Sequence, residues 1–268
     1  MTAQRTRTGG SKGFMEVVIL GSGTCVPRIR RAGPANLLSA WGINILIDSA
    51  AGTLRQLRRA GLRQDAIDII LYTHFHPDHI GELVPFIFAS KYGPGFNRSA
   101  PVQIMGPEGL MDLHAALRQA FGQWVEPEPG AIEFLEIPIE MKALQQIPPL
   151  TISSIHTRHT PKSLAYRIDA PDGRSVVFSG DTDFCHEIVE LASGADLLVL
   201  ECAAPEGMKV EGHMTPSEAG EVARQAGVRR LLLTHFYPEC DRADLVSPCA
   251  KRFDGPILLA EDLMRVIV

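Results

Sequence analysis

The sequence contains no apolar run approaching the roughly 20 residues needed to cross a bilayer, so nothing in it reads as a transmembrane helix. Its opening, MTAQRTRTGGSKGF, is basic and polar and lacks the apolar stretch of a secretory signal. Residues 1–13 read as a flexible leader ahead of one domain over 14–268, and the expected location is the cytoplasm. Cysteine is sparse: Cys25, Cys185, Cys202, Cys240 and Cys249 are odd in number and form no C-x-x-C pair. That spacing excludes a thiolate zinc knuckle and a redox dithiol and favours reduced, structural cysteines. Cys202 alone is kept in view, because it adjoins Glu201. Positive charge is not in excess, with 26 Lys and Arg against 31 Asp and Glu for a net −5. That balance removes any whole-protein attraction for nucleic acid or an anionic membrane. No low-complexity linker divides the chain. GSGT at 21–24 lacks the lysine and the spacing of a phosphate-binding loop and reads as a turn.

What is present is an ordinary globular composition, 45% hydrophobic and 21% charged over 268 residues, enough to bury a substantial core. Apolar runs alternate with turns bearing Gly, Pro or Asp. MEVVILGSGT (15–24) predicts a strand and turn, and ANLLSA with INILIDSA a hairpin ending at Asp48. TLRQLRRAGL (53–62) predicts a helix closed by Gly61, and AIDIILYTHF (66–75) a buried strand. Residues 80–91 predict a helix disturbed by Pro85, and GPEGLMDLHAALRQAFG contains a second, longer one. In the second half LTISSIHTRH (150–159), SLAYRIDAPDGRSVVFSGD (163–181, turning at Asp172-Gly173), ADLLVLEC (195–202) and VRRLLLTHF (228–236) predict strands. TPSEAGEVARQAG (215–227) carries the signals of a capped helix, with Thr215 at the N-cap, Pro216 in the first position and Glu218 reaching back. Strands and helices mixed in both halves predict an α/β fold of two sheets covered outside by helices. Residues 92–149, rich in Gly and Pro, predict surface loops or a rim over a site.

One stretch stands apart. LYTHFHPDHIGEL (71–83) packs three of the nine histidines and an aspartate into six positions. His74 and His76 lie two apart just past a strand, so extended backbone points both the same way. Two imidazoles so placed can share a metal. Pro77 stops the strand, and Asp78 and His79 turn into the following helix and face elsewhere, which predicts two adjacent metal sites. Four side chains do not complete two sites, and further candidates sit at comparable places, in loops after buried strands: His159, Asp181 and His235. Imidazole and carboxylate donors without thiolate suit zinc, with manganese or iron as alternatives. Any one of these histidines alone would more often be structural. Asp48 reads either as an orienting partner for a ligand histidine or as an ordinary turn aspartate, and Asp183 as a turn residue. His156 reads as a strand residue or a neighbour of the site, His114 and His186 as helix-surface residues. The arginines of PRIRRAG (27–33) are either solvated or an attractor of anionic substrate.

THFHPDHIGEL, RHTPKSLAYRI, FSGDT, GHMTPSEAGEVA and LLLTHF, in this order, resemble the metallo-β-lactamase superfamily over nearly all of 15–268. Within it they are most similar to the ribonuclease Z-like branch. The resemblance implies a four-layer αβ/βα sandwich. Carried over residue by residue, it implies that His74, His76 and His159 hold one divalent metal, that Asp78, His79 and His235 hold a second, and that Asp181 bridges them. It further implies that His213, in the H-x-T segment before the capped helix, is the general acid, assisted by Glu201. A carboxylate bonded to that imidazole would raise the fraction of imidazolium. A homodimer is the habit of the family.

Two metals about 3.5–4 Å apart supply a bridging hydroxide near neutral pH and stabilise charge at the reacting centre, and Asp78 would accept a hydrogen bond from the nucleophilic water. The expected activity is thus dinuclear metal-dependent hydrolysis of a phosphodiester. His76 stands where the redox branch carries a glutamate, which argues for hydrolysis, and His213 argues for phosphodiesters. Only 21 residues separate His159 from Asp181, where ribonuclease Z carries a long arm that grips transfer RNA. THFYPE also continues past the last histidine differently. The expected substrate is a small, anionic, cyclic or nucleotide-derived phosphodiester, with nucleic acid not expected as a partner. The alternatives are a lactone, thioester or sulfate-ester hydrolase on the same metals, an RNA-processing endonuclease, or a metal-bound binding module without turnover.

Overall fold

A computed structural model describes residues 13–93, 96, 98, 100–139 and 143–268. All but the last residue of the expected leader lies outside the described residues. Among them, no helix is long and apolar enough to cross a membrane.

Two seven-stranded sheets make up the frame. The first contains β1 (Met15–Gly21), β2 (Ala35–Ala40), β3 (Ile43–Ile47), β4 (Ile69–Leu71), β5 (Val102–Pro107) and β6 (Ile132–Ile137) in that order. The second contains β7 (Ala143–Ile147), β8 (Leu150–His156), β9 (Leu164–Asp169), β10 (Ser175–Phe178), β11 (Leu197–Glu201), β12 (Leu231–Thr234) and β13 (Ile257–Leu259). The chain then returns, and β14 (Arg265–Ile267) pairs antiparallel with β1 at the edge of the first sheet. In each sheet an antiparallel half joins a parallel half: β3 to β6 run parallel in the first, β10 to β13 in the second.

Alternation along the strands sets the layers. In β1, Val17 and Ile19 join the core between the sheets, while Val18 and Leu20 face the other way, as a period of two requires. That outer face is covered by α1 (Thr53–Arg59), α3 (Leu83–Tyr92) and α4 (Leu110–Phe121), through Leu57, Phe86 and Leu110. Between β4 and α3 lies the short α2 (Pro77–Ile80). The second sheet is backed by α5 (His186–Leu191), α6 (Pro216–Ala226) and α7 (Val246–Ala250), with Ile188, Val222 and Cys249 buried. The result is the expected αβ/βα sandwich. At one end the sheets are tied directly: Leu164 N donates to Thr73 O at 2.8 Å, and the buried Tyr166 hydroxyl donates to Tyr72 O at 2.7 Å.

Three local expectations are corrected. The strand expected over 66–75 is reduced to Ile69–Leu71, because the chain turns out of the sheet into the histidine segment. Pro85 disturbs nothing: the helix breaks earlier, at Gly81–Glu82, and Pro85 falls in the first turn of α3, where its missing N–H has no intrahelical acceptor to lose. Residues 92–149 are not mainly loop but supply β5, β6 and β7. The Gly and Pro residues punctuate these strands rather than replace them. The capping box of α6, with Thr215 and Glu218, is present as expected.

Candidate metal centre

The candidate residues all follow strands on the same end of the two sheets. His74 and His76 follow β4; Asp78 and His79 occupy the first turn of α2 behind Pro77. His159 follows β8, Asp181 follows β10, Glu201 is the last residue of β11, and His235 follows β12. β4, β10, β11 and β12 belong to the parallel halves, and the open ends of such strands are where loop-borne groups converge on a rigid frame.

The structure brings all of the sequence candidates together. His74, His76, His159 and Asp181 present ligand atoms within 4.8 Å of one another, and so do Asp78, His79 and His235. Asp181 stands between the groups. Its Oδ2 lies 3.3 Å from His79 Nε2, 3.7 Å from His159 Nε2 and 3.8 Å from His74 Nε2, and its Oδ1 lies 3.4 Å from His235 Nε2. His76 Nδ1 faces His159 Nε2 at 3.2 Å.

Hydrogen bonds on the far side of the rings fix which nitrogen faces inward. His79 Nδ1 donates to Asp48 Oδ2 at 2.8 Å, and His159 Nδ1 to Gly212 O at 3.0 Å. Thr73 Oγ1 donates to Asp48, so it accepts from His74 Nδ1 at 3.0 Å. Asp48 is therefore an orienting carboxylate rather than an idle turn residue. Each of these rings turns its Nε2 toward the centre. Among the described residues, His74 Nε2, His79 Nε2 and both nitrogens of His235 are buried and find no well-aligned hydrogen-bond partner. Leaving such an atom unpaired costs about 1–3 kcal/mol, and a cation held by nitrogen and carboxylate oxygen would satisfy several at once. The donor chemistry fits zinc, manganese or iron.

Electrostatics agree with a site built for positive charge. Burial would raise the Asp181 carboxyl, but the imidazoles of His235 and His79 prevail and hold it well below the usual carboxylate range. Burial works against charge on His79, yet Asp181 and Asp48 lift its pKa well above 6.5. His74 and His235 are lowered, chiefly by burial, His235 to about 4.

His213 precedes α6 and stacks against the His235 ring at 5.4 Å between centroids. Its Nδ1 donates to Glu201 Oε1 at 2.8 Å. Glu201 is fully buried, and its carboxylate also accepts from the backbone N–H groups of Thr182, Ala203 and Met214. Burial opposes charge on His213, but the Glu201 bond outweighs it and raises its pKa above 6.5. His213 also falls within ligand-atom reach of Asp181 and His235.

Several features of the centre were not legible in the sequence. Asp48 and His235 are non-glycine residues with φ of 56° and 62°, a region that side chains avoid outside functional turns. Of the PRIRRAG arginines, Arg28 and Arg31 both pair with Asp241, so neither is simply solvated. Arg31 donates to Ser22 Oγ and Ala260 O, both at 2.7 Å, and lies 4.8 Å over the Phe236 ring beside His235. Tyr237, from the divergent THFYPE, stands near His213 and His235, with centroids 6.3 and 6.4 Å away, and its hydroxyl meets Cys25 Sγ at 3.8 Å. That departure from the family pattern was its only signal. Other residues stay outside the centre. Cys202 is buried, with its thiol pushed well up by that burial. His156 Nε2 closes the turn onto Thr160 O, and Asp183 pairs with Lys209. His114 is half-buried on α4, where its ring stacks on Phe134 and bonds Val125 O.

Comparison with known proteins gives a consistent family. A model described as "Beta-lactamase superfamily domain" matches residues 43–236. Ribonuclease Z of Mycobacterium sp. (strain KMS) is 33% identical over 279 residues, covering 95% of this chain and 96% of that protein. Ribonuclease Z of Methanothermobacter thermautotrophicus is 31% identical over 303 residues, with 95% and 97% covered. Among solved structures, the metallo-beta-lactamase fold protein YhfI of Bacillus subtilis superposes with a TM-score of 0.81 at 23% identity, covering 95% of this chain and 100% of that one. The human short-form tRNase Z superposes with a TM-score of 0.77 at 24% identity, covering 94% and 98%. The structural likenesses speak for the fold, and the family match and sequence relatives for descent. The chain belongs to the metallo-β-lactamase superfamily, in its ribonuclease Z-like branch.

Proposed function

We propose that the chain is a phosphodiesterase working with two divalent metal ions, one held by His74, His76 and His159, the other by Asp78, His79 and His235, with Asp181 between them. Bound there, such ions lower the pKa of water and withdraw charge from phosphoryl oxygens. The observation that carries the reading is the Glu201–His213 pair at the edge of the imidazole cluster, 2.8 Å between Oε1 and Nδ1. Hydrolysis of a phosphodiester leaves an alkoxide that needs a proton. His213 supplies it from Nε2, while Glu201 fixes the ring and favours the imidazolium. Asp78 accepts a hydrogen bond from the attacking water and orients it.

A short, nucleotide-derived phosphodiester is the substrate this reading favours. Between His159 and Asp181 the chain forms only the β9–β10 hairpin, with no projecting arm. The alignment with the Mycobacterium relative runs over 279 residues while drawing on 95% of this 268-residue chain, so that relative carries inserted residues absent here. A second reading, endonucleolytic processing of RNA, is favoured by the relatives named Ribonuclease Z. Those names run against the expectation that nucleic acid is not a partner.

Hydrolysis of bis(p-nitrophenyl) phosphate and of a transfer-RNA precursor by zinc- and manganese-loaded protein, beside His213→Ala, tests both. Turnover that collapses in the variant while metal content holds supports His213 as the acid. Loss of a metal in the variant would make His213 a ligand instead. Cleavage of the precursor in preference to the small diester would favour the second reading, and no turnover of either by fully metallated protein would overturn both.

A further inference from the structure

Beside His159 a cleft of about 350 Å³ opens between the turn after β8 and the loop leading to His213, walled by Arg158, His159, Thr160, Asp183, Glu211 and Gly212. Its size is at the low end of the roughly 300–1,000 Å³ of small-molecule sites, which suits one monomer-sized group. Both walls are fixed. Arg158 N donates to Thr182 Oγ1 and Arg158 O accepts from Asp183 N. On the other side Lys209 Nζ joins Asp183 and Glu218 at 2.7 and 2.6 Å, which pins the loop and neutralises Asp183. Both charged ends, of Arg158 and of Glu211, are exposed, and Arg158 has only a longer-range attraction to Asp183, weaker than that of Lys209. Among the described residues neither makes a hydrogen bond or ion pair through its side chain, and both line the cleft. Gly212 brings the loop against the His159 ring, where an added Cβ would come 3.0 Å from Nδ1.

The position of the cleft assigns its occupant. Gly212 precedes His213 in the chain, and the His213 ring stands 4.8 Å from that of His159, which lines the cleft, so a group that receives the His213 proton departs beside this wall. We infer that the cleft holds the leaving half of the substrate and that this half is a single nucleoside, its ribose hydroxyls donating to Glu211 and a base carbonyl accepting from Arg158. This rests on the phosphodiesterase reading above. In the step itself the water loses a proton to solvent and its oxygen bonds to phosphorus, the bond from phosphorus to the nucleoside 5′ oxygen breaks, and that oxygen takes the proton from His213. A carboxylate and a guanidinium lining one cleft read such a group by paired donors and acceptors, and neither a nitrophenolate nor a plain alkoxide offers the hydroxyls that Glu211 needs.

The test uses metal-loaded full-length protein and two dinucleoside monophosphates that differ only in the leaving nucleoside, ribo- or 2′,3′-dideoxy-. A hydrogen bond to a carboxylate predicts a preference of about tenfold in kcat/KM for the ribo-substrate. That preference should vanish in Glu211→Ala. Arg158→Ala should raise KM for the ribo-substrate about tenfold relative to bis(p-nitrophenyl) phosphate. These ratios are independent of the fraction of folded protein, so partial misfolding does not imitate the result. If bis(p-nitrophenyl) phosphate is hydrolysed but the ribo-to-dideoxy ratio is the same in wild type and Glu211→Ala, the cleft assignment fails and the phosphodiesterase reading stands. If no phosphodiester is hydrolysed, both fail.

Discussion

Asp48 Oδ2 lies 2.8 Å from His79 Nδ1 and 2.8 Å from Thr73 Oγ1, which itself meets His74 Nδ1 at 3.0 Å. One buried carboxylate thus sets the rotation of an imidazole in each of the two candidate metal groups. It also sets a proton. In the metal-free protein burial disfavours a charged His79, but Asp181 and Asp48 raise its pKa well above 6.5. A group raised in this way stabilises the metal-free fold fully below 6.5 and loses that contribution as pH climbs through the folded value. A metal has to displace the same proton.

Asp48→Asn is therefore expected to weaken metal binding about 10–100-fold and to release fewer protons on binding. Wild-type affinity should strengthen as pH rises. Chelator competition at two pH values, with calorimetry in buffers of different ionisation heat, measures both. Unchanged affinity and proton release in the variant would sink the assignment.

Glu201→Gln should move the alkaline limb of kcat to lower pH. Burial pulls the His213 pKa down and the Glu201 bond more than restores it, so removing the carboxylate charge leaves less imidazolium at a given pH. His213→Ala should lose about 10²–10⁴-fold in kcat on substrates with a poor leaving group, and less on nitrophenyl esters, whose leaving oxygen needs little protonation. Equal losses on both kinds of ester would argue against a proton-donor role.

Arg31→Ala tests how His235 is held. Among the described residues, no ring nitrogen of His235 finds a well-aligned hydrogen-bond partner; its backbone is held instead, through Phe236 N to Ser22 O and Tyr237 N to Ala203 O. Asp262 accepts from both Ser22 N and Ser22 Oγ, and Arg31 clamps Ser22 onto the Phe236 face. The variant should be destabilised by about 1–3 kcal/mol and should lose one bound metal in preference to the other. Denaturant unfolding and metal-to-protein stoichiometry check this, and equal weakening of both metals would count against it.

Gly180→Ala should damage the centre more than any exposed glycine substitution. Gly180 has a φ of 57°, and a Cβ there would sit 2.7 Å from the Thr73 Cβ. Thr73 precedes His74 and Asp181 follows Gly180, so relief of the clash displaces two candidate ligands at once. Reduced metal content in folded protein is the expected result, and a fully metallated variant would refute it.

The histidine motif and the order of the five motif segments were legible because each rests on local spacing: two residues in extended backbone place His74 and His76 on one side, and Pro77 starts the next turn. The two-sheet fold was legible from strands and helices mixed in both halves, but not the face each residue takes: Val17, Val18, Ile19 and Leu20 are all apolar, and the structure alone sorts Val17 and Ile19 from Val18 and Leu20. The strands β5 and β6 were not, because Gly and Pro at their flanks carry the same signal whether they end a strand or fill a loop.

Sequence alone determined which residue types could meet a metal, since donor chemistry and short-range geometry travel with the chain. Tertiary structure alone decided that Asp48 serves both groups, that Arg31 is a clamp and that Tyr237 stands at the edge. It also decided that Arg158 and Glu211 share a cleft. Most of these join residues distant in the chain, and pairing within a sheet, as of β3 with β4 for Asp48, or packing between the sheets brings them together.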